Sequence, residues 1–404
     1  MKNDLPFKDI TVLELASVLA GPSVGMFFSE LGANVIKVEN IISNGDVTRH
    51  WKLGAEDPQT DITAYYTSIN WGKKSIAIDI SKKEGLEIVY ELVKISDIIL
   101  ASYKPGDAEK LKVDYNTLKS VKKDIIYGCI TGYGQNNHRA GYDAIIQAEA
   151  GFMFMNGEPD NPPTKMPVAL MDVLAAHQLK EGILIALLKK NITGEGSFVE
   201  ASLFQSGVAS LVNQATNYLV ANHIPQRLGS DHPNIAPYGT VFVSKDNKEF
   251  VIAVGSDKQF YELCEILEMP ELAKDPKFAK NIDRVKNKTE LKAILKKLFS
   301  NFTRKEILKK LDEKKIPAGA VNNMKEVFET KEAQELIINK NNLKGVRSAV
   351  FKIDNLFLKN PDIQMPPHYG EHTIEICRNI LKMPDENIKN LINNKVLHCY
   401  ESVK

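Results

Sequence analysis

Up to about residue 220 the chain alternates short, almost continuous apolar runs with longer stretches in which apolar positions recur every three or four residues. The runs at 10–16, 35–39, 75–80, 97–102, 125–131 and 197–202 predict strands. Several lack the in-and-out alternation of a half-solvated sheet, so cover on both faces and a mostly parallel sheet are expected. Helical spacing falls between them, at 22–31, 82–95, 143–153, 171–190 and 203–221, with Pro22 where a first-turn proline is tolerated. Pro225, Gly229, Pro233, Pro237 and Gly239 then punctuate the chain and mark a domain boundary. Beyond it, 239–244 and 249–254 flank a polar turn and predict a hairpin, followed by lysine-rich helices at 258–267, 288–299 and 304–314 whose charges read as a solvated face. Residues 325–343 are polar and read as a linker; 345–353 is β-like, and 371–381 and 385–394 are helix-like. The fold class is α/β: a large domain with a mostly parallel sheet, plus a smaller α+β domain.

Composition narrows the function classes. With 404 residues there is room for two or three domains of about 150 residues. Lysine and arginine number 52 against 51 acids, a net charge of +1, so nucleic acid is not expected as a partner. The start of the chain lacks the basic-then-apolar order of a signal peptide, and no apolar run approaches the roughly 18 residues of a membrane span, so no membrane association is expected and the cytoplasm is the expected compartment. Cys129, Cys264, Cys377 and Cys399 lie far apart and suggest neither a metal site nor a disulfide framework.

Residues 13–39 have the outline of a dinucleotide-binding unit, with Gly21, Gly25, Leu31-Gly32-Ala33 and a terminal acid, Glu39. Gly21 and Gly25 stand four apart around Pro22, however, so the G-x-G-x-x-G fingerprint is absent and a βαβ opening without a bound dinucleotide is the simpler reading. A nicotinamide-dependent oxidoreductase is kept as the distant functional alternative. Asp172 enters a long apolar helix pattern, where an acid is ordinarily a cap or a dipole partner.

Several strings in order resemble the class III coenzyme A transferases: Leu19-Ala20-Gly21-Pro22, Leu31-Gly32-Ala33-Asn34-Val35-Ile36-Lys37-Val38-Glu39, Gly45-Asp46-Val47-Thr48-Arg49, Asn70-Trp71-Gly72-Lys73-Lys74-Ser75, Tyr103-Lys104-Pro105-Gly106, Gly132-Tyr133-Gly134-Gln135, Gly141-Tyr142-Asp143, Pro317-Ala318-Gly319 and Gly370-Glu371-His372-Thr373. The resemblance implies that Asp172 is the nucleophile. A carboxylate that attacks an acyl-CoA thioester forms a mixed anhydride, and the expelled thiolate can return to make an aspartyl-CoA thioester, preserving the activation. No permanently bound cofactor and no metal is implied; the coenzyme A thioester is a substrate.

By position in the resembling strings, Leu19, Asn40, Lys73, Lys74, Lys104 and Arg139 are the expected coenzyme A contacts, and Tyr142, Asp143 and Gly229 border the acyl pocket. The 229–233 loop lacks the consecutive glycines of the oxalate enzymes, and 227–239 looks more like the branch that includes succinate-hydroxymethylglutarate CoA-transferase. A succinyl or similar dicarboxylyl donor and a free carboxylic acid acceptor follow from that branch. The related 2-methylacyl-CoA racemases, the nearer alternative, carry a histidine where this chain has Tyr142, which removes a proton carrier. The resemblance also implies a large Rossmann-like domain from both chain ends (1–224 with 330–404), a small domain at 225–329, and an interlocked homodimer.

Overall fold

The structure, a computed structural model, describes residues 5–353 and 363–400, so the first four residues behind the signal-peptide expectation lie outside the described residues. The chain divides into two compact units, one of residues 1–150, 167–216 and 335–404, the other of residues 151–166 and 217–334.

The first unit is built on a seven-stranded sheet. In chain order its elements include β1 (Thr11–Leu15), helix α1 (Ala20–Glu30), β2 (Asn34–Asn40), β3 (Lys73–Ile78), helix α2 (Lys83–Lys94), β4 (Ile98–Ala101), β5 (Ile126–Thr131), helix α3 (Asp143–Glu149), helix α4 (Leu170–Thr193) and β6 (Ser197–Ser202). Six strands lie parallel in the order β3-β2-β1-β4-β5-β6, and Leu397–His398 adds an antiparallel edge to β3. Every residue of β4 and β5 is buried, as strands covered on both faces must be. One face packs Leu13, Ile36, Ile76 and Ile99 against Ile88, Val89, Leu92 and Val93 of α2. On α4, Met171, Ala175, Leu179 and Ile183 recur at helical spacing and are buried, and the helix packs against α1, β5 and β6 before Gly194 (φ 72°) ends it. Among the described residues no helix is long and apolar enough to cross a membrane.

The second unit holds a three-stranded antiparallel sheet, Tyr238–Val243, Glu249–Ala253 and Ala318–Ala320, with Phe242, Phe250, Phe260 and Phe299 in its core. Helices Asp257–Ile266, Lys288–Phe299 and Arg304–Glu313 supply the rest of that core. This unit also takes in residues 151–166, well before the punctuated stretch that marks the expected boundary.

Three further expectations are corrected. The 143–153 helix stops at Glu149, because Gly151 (φ 85°) reverses the backbone, and Phe152–Met155 forms a separate turn. The 203–221 helix breaks between Leu203–Ala209 and Asn213–Ala221, where Ser210 Oγ bonds back to the Ser206 carbonyl and Val212 adopts φ 46°. The 325–343 linker is instead structured: Asn323 and Glu326 form a reciprocal capping box on Met324–Phe328, and Ile337–Lys340 pairs with Leu343–Val346 around Asn341 and Asn342, both at positive φ. That hairpin uses only the first residues of the 345–353 run.

Candidate active site

In a parallel sheet the loops at the carboxyl ends of the strands are free to hold a ligand, above all where the strand order reverses. Here the reversal lies between β1 and β4. A cavity of about 240 Å³ opens there, lined by the turn Ser17–Gly21 after β1, Ser102–Pro105 after β4, Ile130–Gly132 at the end of β5, and Arg139–Asp143 with Asp172. A larger cavity of about 400 Å³ opens at the ends of β1, β2 and β3, lined among others by Ser17, Lys37, Asn40, Asp79, Ser81 and Tyr103. Ser17 and Tyr103 line both.

Asp172 stands in the first turn of α4, whose N-cap residue, Ala169, has no side chain able to cap it. Asp143 does that work from outside: its Oδ1 accepts the Met171 N–H (2.8 Å), while Gln147 Nε2 donates to its Oδ2 (2.8 Å) and to the Val168 carbonyl (3.3 Å). The capping acid therefore sits beside the candidate nucleophile. Burial, and after it the negative charge of Asp143, push the Asp172 carboxyl from 3.8 up to about 7, against the pull of its helix N-terminus. Tyr65, in the short helix Ala64–Thr67, is pushed up to about 12 by burial and by the fields of Asp172, Asp143 and Asp46, so it stays a neutral phenol beside these acids. Trp51 packs edge-on against its ring at 5.1 Å.

The opposite wall depends on two close approaches. A Cβ on Gly21 would lie 2.4 Å from that of Ala16, so glycine is required where α1 turns back over β1. Gly132 and Gly141 approach so closely that a Cβ on Gly141 would meet Gly132 Cα at 2.3 Å, and this contact draws the Tyr142–Asp143 corner over the end of β5. Between β1 and α1, Val18 adopts φ 73°. For a β-branched residue that conformation stores about 1–3 kcal/mol of strain.

Of the residues expected to form the site, Leu19, Lys104, Arg139, Tyr142, Asp143 and Asp172 all line the smaller cavity, and Asn40 lines the larger. Tyr142 is 66% exposed, so its ring stands open at the cavity rather than buried with a satisfied hydroxyl. Arg139 pairs with Glu149 (2.5 Å) and lies over the Tyr133 ring. Gly229 belongs to the second unit, where its N–H donates to the Gly157 carbonyl (3.0 Å).

The structure places two of the expected lysines, Lys73 and Lys74, outside the lining of both cavities. Lys73 is almost fully buried and its Nζ is engaged by both Glu14 oxygens (3.0 and 2.8 Å), the Pro22 carbonyl (2.8 Å) and Asn70 Oδ1 (3.0 Å), because its side chain points into the sheet toward α1. Lys74, on the alternate face of β3, pairs with Glu375 (2.7 Å) and lines neither cavity. Tyr65, Trp51 and Asp46 were missed. The aromatic doublet Tyr65-Tyr66 carries no spacing that separates the residue beside Asp172 from the buried one under Arg49.

The cavity at the switch point, which holds the half-buried carboxylate of Asp172 in the first turn of α4, is the candidate active site. The sequence model of CoA-transferase family III matches residues 7–373, and the chain belongs to that family of enzymes. It is 36% identical to mouse succinyl-CoA:glutarate CoA-transferase over 98% of this chain and 91% of that protein. It is 37% identical to succinate–glutarate CoA-transferase of Agrobacterium fabrum over 81% of this chain and 83% of that one. These relatives lie in the branch that the motifs resemble. The solved structure of a CAIB/BAIF family protein from Brucella suis matches with a TM-score of 0.82 at 36% identity, covering 93% of this chain and 99% of that chain.

Proposed function

We propose that the protein transfers coenzyme A reversibly between a dicarboxylyl-CoA, with succinyl-CoA as the donor of choice, and a free carboxylic acid, through Asp172. The observation that carries this reading is the placement of Asp172, half-buried beside the capping Asp143, at the cavity between β1 and β4, where burial and the neighbouring charge raise its affinity for a proton. A more basic carboxylate is a better nucleophile, and its charge is the state that burial and Asp143 disfavour. When Asp172 attacks the thioester carbonyl and thiolate leaves, the resulting mixed anhydride is neutral at Asp172, so that penalty is relieved as the bond forms.

The thiolate then attacks the Asp172 carbonyl, releasing the donor acid and leaving an aspartyl-CoA thioester. The acceptor carboxylate attacks this thioester, thiolate departs again, and its attack on the acceptor acyl carbonyl yields the new acyl-CoA and free Asp172. Ala20 and Gly21, in the first turn of α1 with no side-chain cap at Leu19, line the same cavity, and their amides would suit the oxyanions of these steps. Each step exchanges one oxygen or sulfur ester for another, so no permanently bound cofactor is needed.

The coenzyme would run from Asp172 past Ser17 and Tyr103 into the larger cavity, with Asn40 at its nucleotide end, Leu19 alongside through its backbone, and Lys104 and Arg139 meeting phosphates at the rim. Tyr142 would border the acyl group. Glutarate is the first acceptor to test, given the names of the relatives. Buried free thiols at Cys129, Cys264 and Cys377 suit a reducing compartment such as the cytoplasm. A homodimer is supported by α4, whose Ile185, Leu188 and Ile192 form an apolar stripe, Ile192 being 85% exposed, on the side away from the buried one.

Incubation with succinyl-CoA, trapping with hydroxylamine or borohydride, and peptide mass analysis tests the chemistry. Label on the peptide bearing Asp172, with glutaryl-CoA formed once glutarate is added, is expected. Full transferase turnover by Asp172→Asn and Asp172→Ala would refute it.

A further inference from the structure

One backbone group of each of three consecutive residues in the turn after β1 is taken by a side chain from elsewhere in the first unit. The Ala16 carbonyl accepts from Lys37 Nζ (2.9 Å), the Ser17 N–H donates to Ser102 Oγ (3.2 Å), and the Val18 N–H lies 3.4 and 3.3 Å from the two oxygens of Asp46. Lys37 also bridges Glu14 (3.0 Å) and Asp46 (2.9 Å), and all three side chains are almost completely buried. The remaining capacity of Asp46 is used by the Thr48 N–H (3.0 Å) and hydroxyl (2.9 Å). What this cluster grips is the segment in which Val18 stands at φ 73°. A valine persists there only where its surroundings over-determine the conformation. The next residue, Leu19, is the N-cap of α1, and Ser17–Gly21 is a wall of the cavity that holds Asp172.

We propose that Asp46, anchored by Lys37, is a positioning residue for CoA transfer: it clamps the Val18 turn in its left-handed conformation and thereby sets the first-turn amides of α1 against the carbonyl that Asp172 attacks. The inference rests on the reading of Asp172 as the nucleophile and adds to it the part that holds the opposite wall. Burial alone would raise the Asp46 carboxyl, but the Lys37 ammonium outweighs it and holds the group below the usual carboxylate range, so the clamp is ionised at neutral pH. Its charge is already matched, which leaves Asp46 no direct part in the chemistry.

The test is a double-mutant cycle on D46N and V18G, read as the single-turnover rate of Asp172 acylation at saturating succinyl-CoA. Asparagine keeps an acceptor for the Val18 N–H but loses the charge that Lys37 holds. Glycine removes the penalty for positive φ, so a turn carrying it no longer needs the clamp. With Val18 in place, D46N should slow acylation about tenfold or more, the rate equivalent of strain of this kind, with the half-saturating succinyl-CoA concentration nearly unchanged. In the V18G background the same substitution should slow acylation less than about threefold. Equal slowing in both backgrounds would overturn the proposal, since an orphaned Lys37 charge would act without regard to residue 18. Should D46N not fold, Ser102→Ala removes the neighbouring grip and carries the same comparison. Amide exchange of the 16–21 peptide separates the clamp from the chemistry. It should quicken in D46N with Val18 present and not in the V18G background, whether or not Asp172 is labelled in the wild type. Unchanged exchange would sink the clamp alone, and an unlabelled wild-type Asp172 would sink the nucleophile reading alone.

Discussion

Asp172→Asn should abolish transfer and, at neutral to alkaline pH, make the protein more stable. The folded protein holds the Asp172 proton up to about pH 7, whereas an unfolded carboxyl releases it near 3.8. Across that window the native state binds more protons, so stability falls as pH rises through it, and above pH 7 the full penalty of the charged form remains. A displacement from 3.8 to about 7 corresponds to about 4 kcal/mol. Solvent at the cavity mouth screens part of it, leaving an expected gain of about 2 kcal/mol for the neutral isostere. Asparagine is preferred to alanine because it keeps the volume and leaves no cavity. Thermal or urea unfolding of both proteins at one fixed protein concentration, at pH 8 and at pH 4.5, measures the effect. The asparagine variant should melt several degrees higher at pH 8, and the difference should shrink to about 1 kcal/mol at pH 4.5, where Asp172 is protonated in the folded protein but still mostly ionised in the unfolded chain. A variant less stable than wild type at pH 8, or a gain equal at both pH values, would refute the view that burial and Asp143 strain this carboxylate.

Three further outcomes follow from the geometry. Asp143→Asn keeps the acceptor for the Met171 N–H but removes the like charge, so the acid limb of the kcat/KM profile should move from near pH 7 toward lower pH; an unmoved limb would show that Asp143 does not act through charge. Lys73→Met breaks a buried pair with Glu14 and should cost about 3–5 kcal/mol in urea unfolding while leaving the KM for acyl-CoA near wild type; a raised KM with unchanged stability would restore a ligand role to this lysine. Gly21→Ala places a Cβ 2.4 Å from that of Ala16 and should displace the turn opposite Asp172, with a roughly hundredfold loss of kcat in a folded protein; near-normal kcat would mean that this wall is not part of the reaction.

The six parallel strands were legible from their near-continuous apolar runs, because burial on both faces leaves a local imprint that no partner is needed to read. The proposed nucleophile stood out for another reason: Asp172 opens a long helix within an ordered set of short motifs, and an acid at that place matches a family pattern. Local signals also existed for the capping box at Asn323 and the Asn341-Asn342 turn, but polarity masked them. What remained hidden depends on contacts across long sequence separations. Lys73 and Lys74 are adjacent in the chain, yet strand alternation sends one inward onto Glu14 and the other outward to Glu375, and which side is buried depends on the helices that cover the sheet. The basicity of Asp172 comes first from burial and then from the charge of Asp143, 29 residues earlier, through a cap that exists only once α3 and α4 meet. The strain at Val18 arises because Lys37, Asp46 and Ser102 converge on one turn from separate parts of the fold. Chemistry of a residue type is written into the chain, whereas the field around that residue is made by neighbours that folding brings to it.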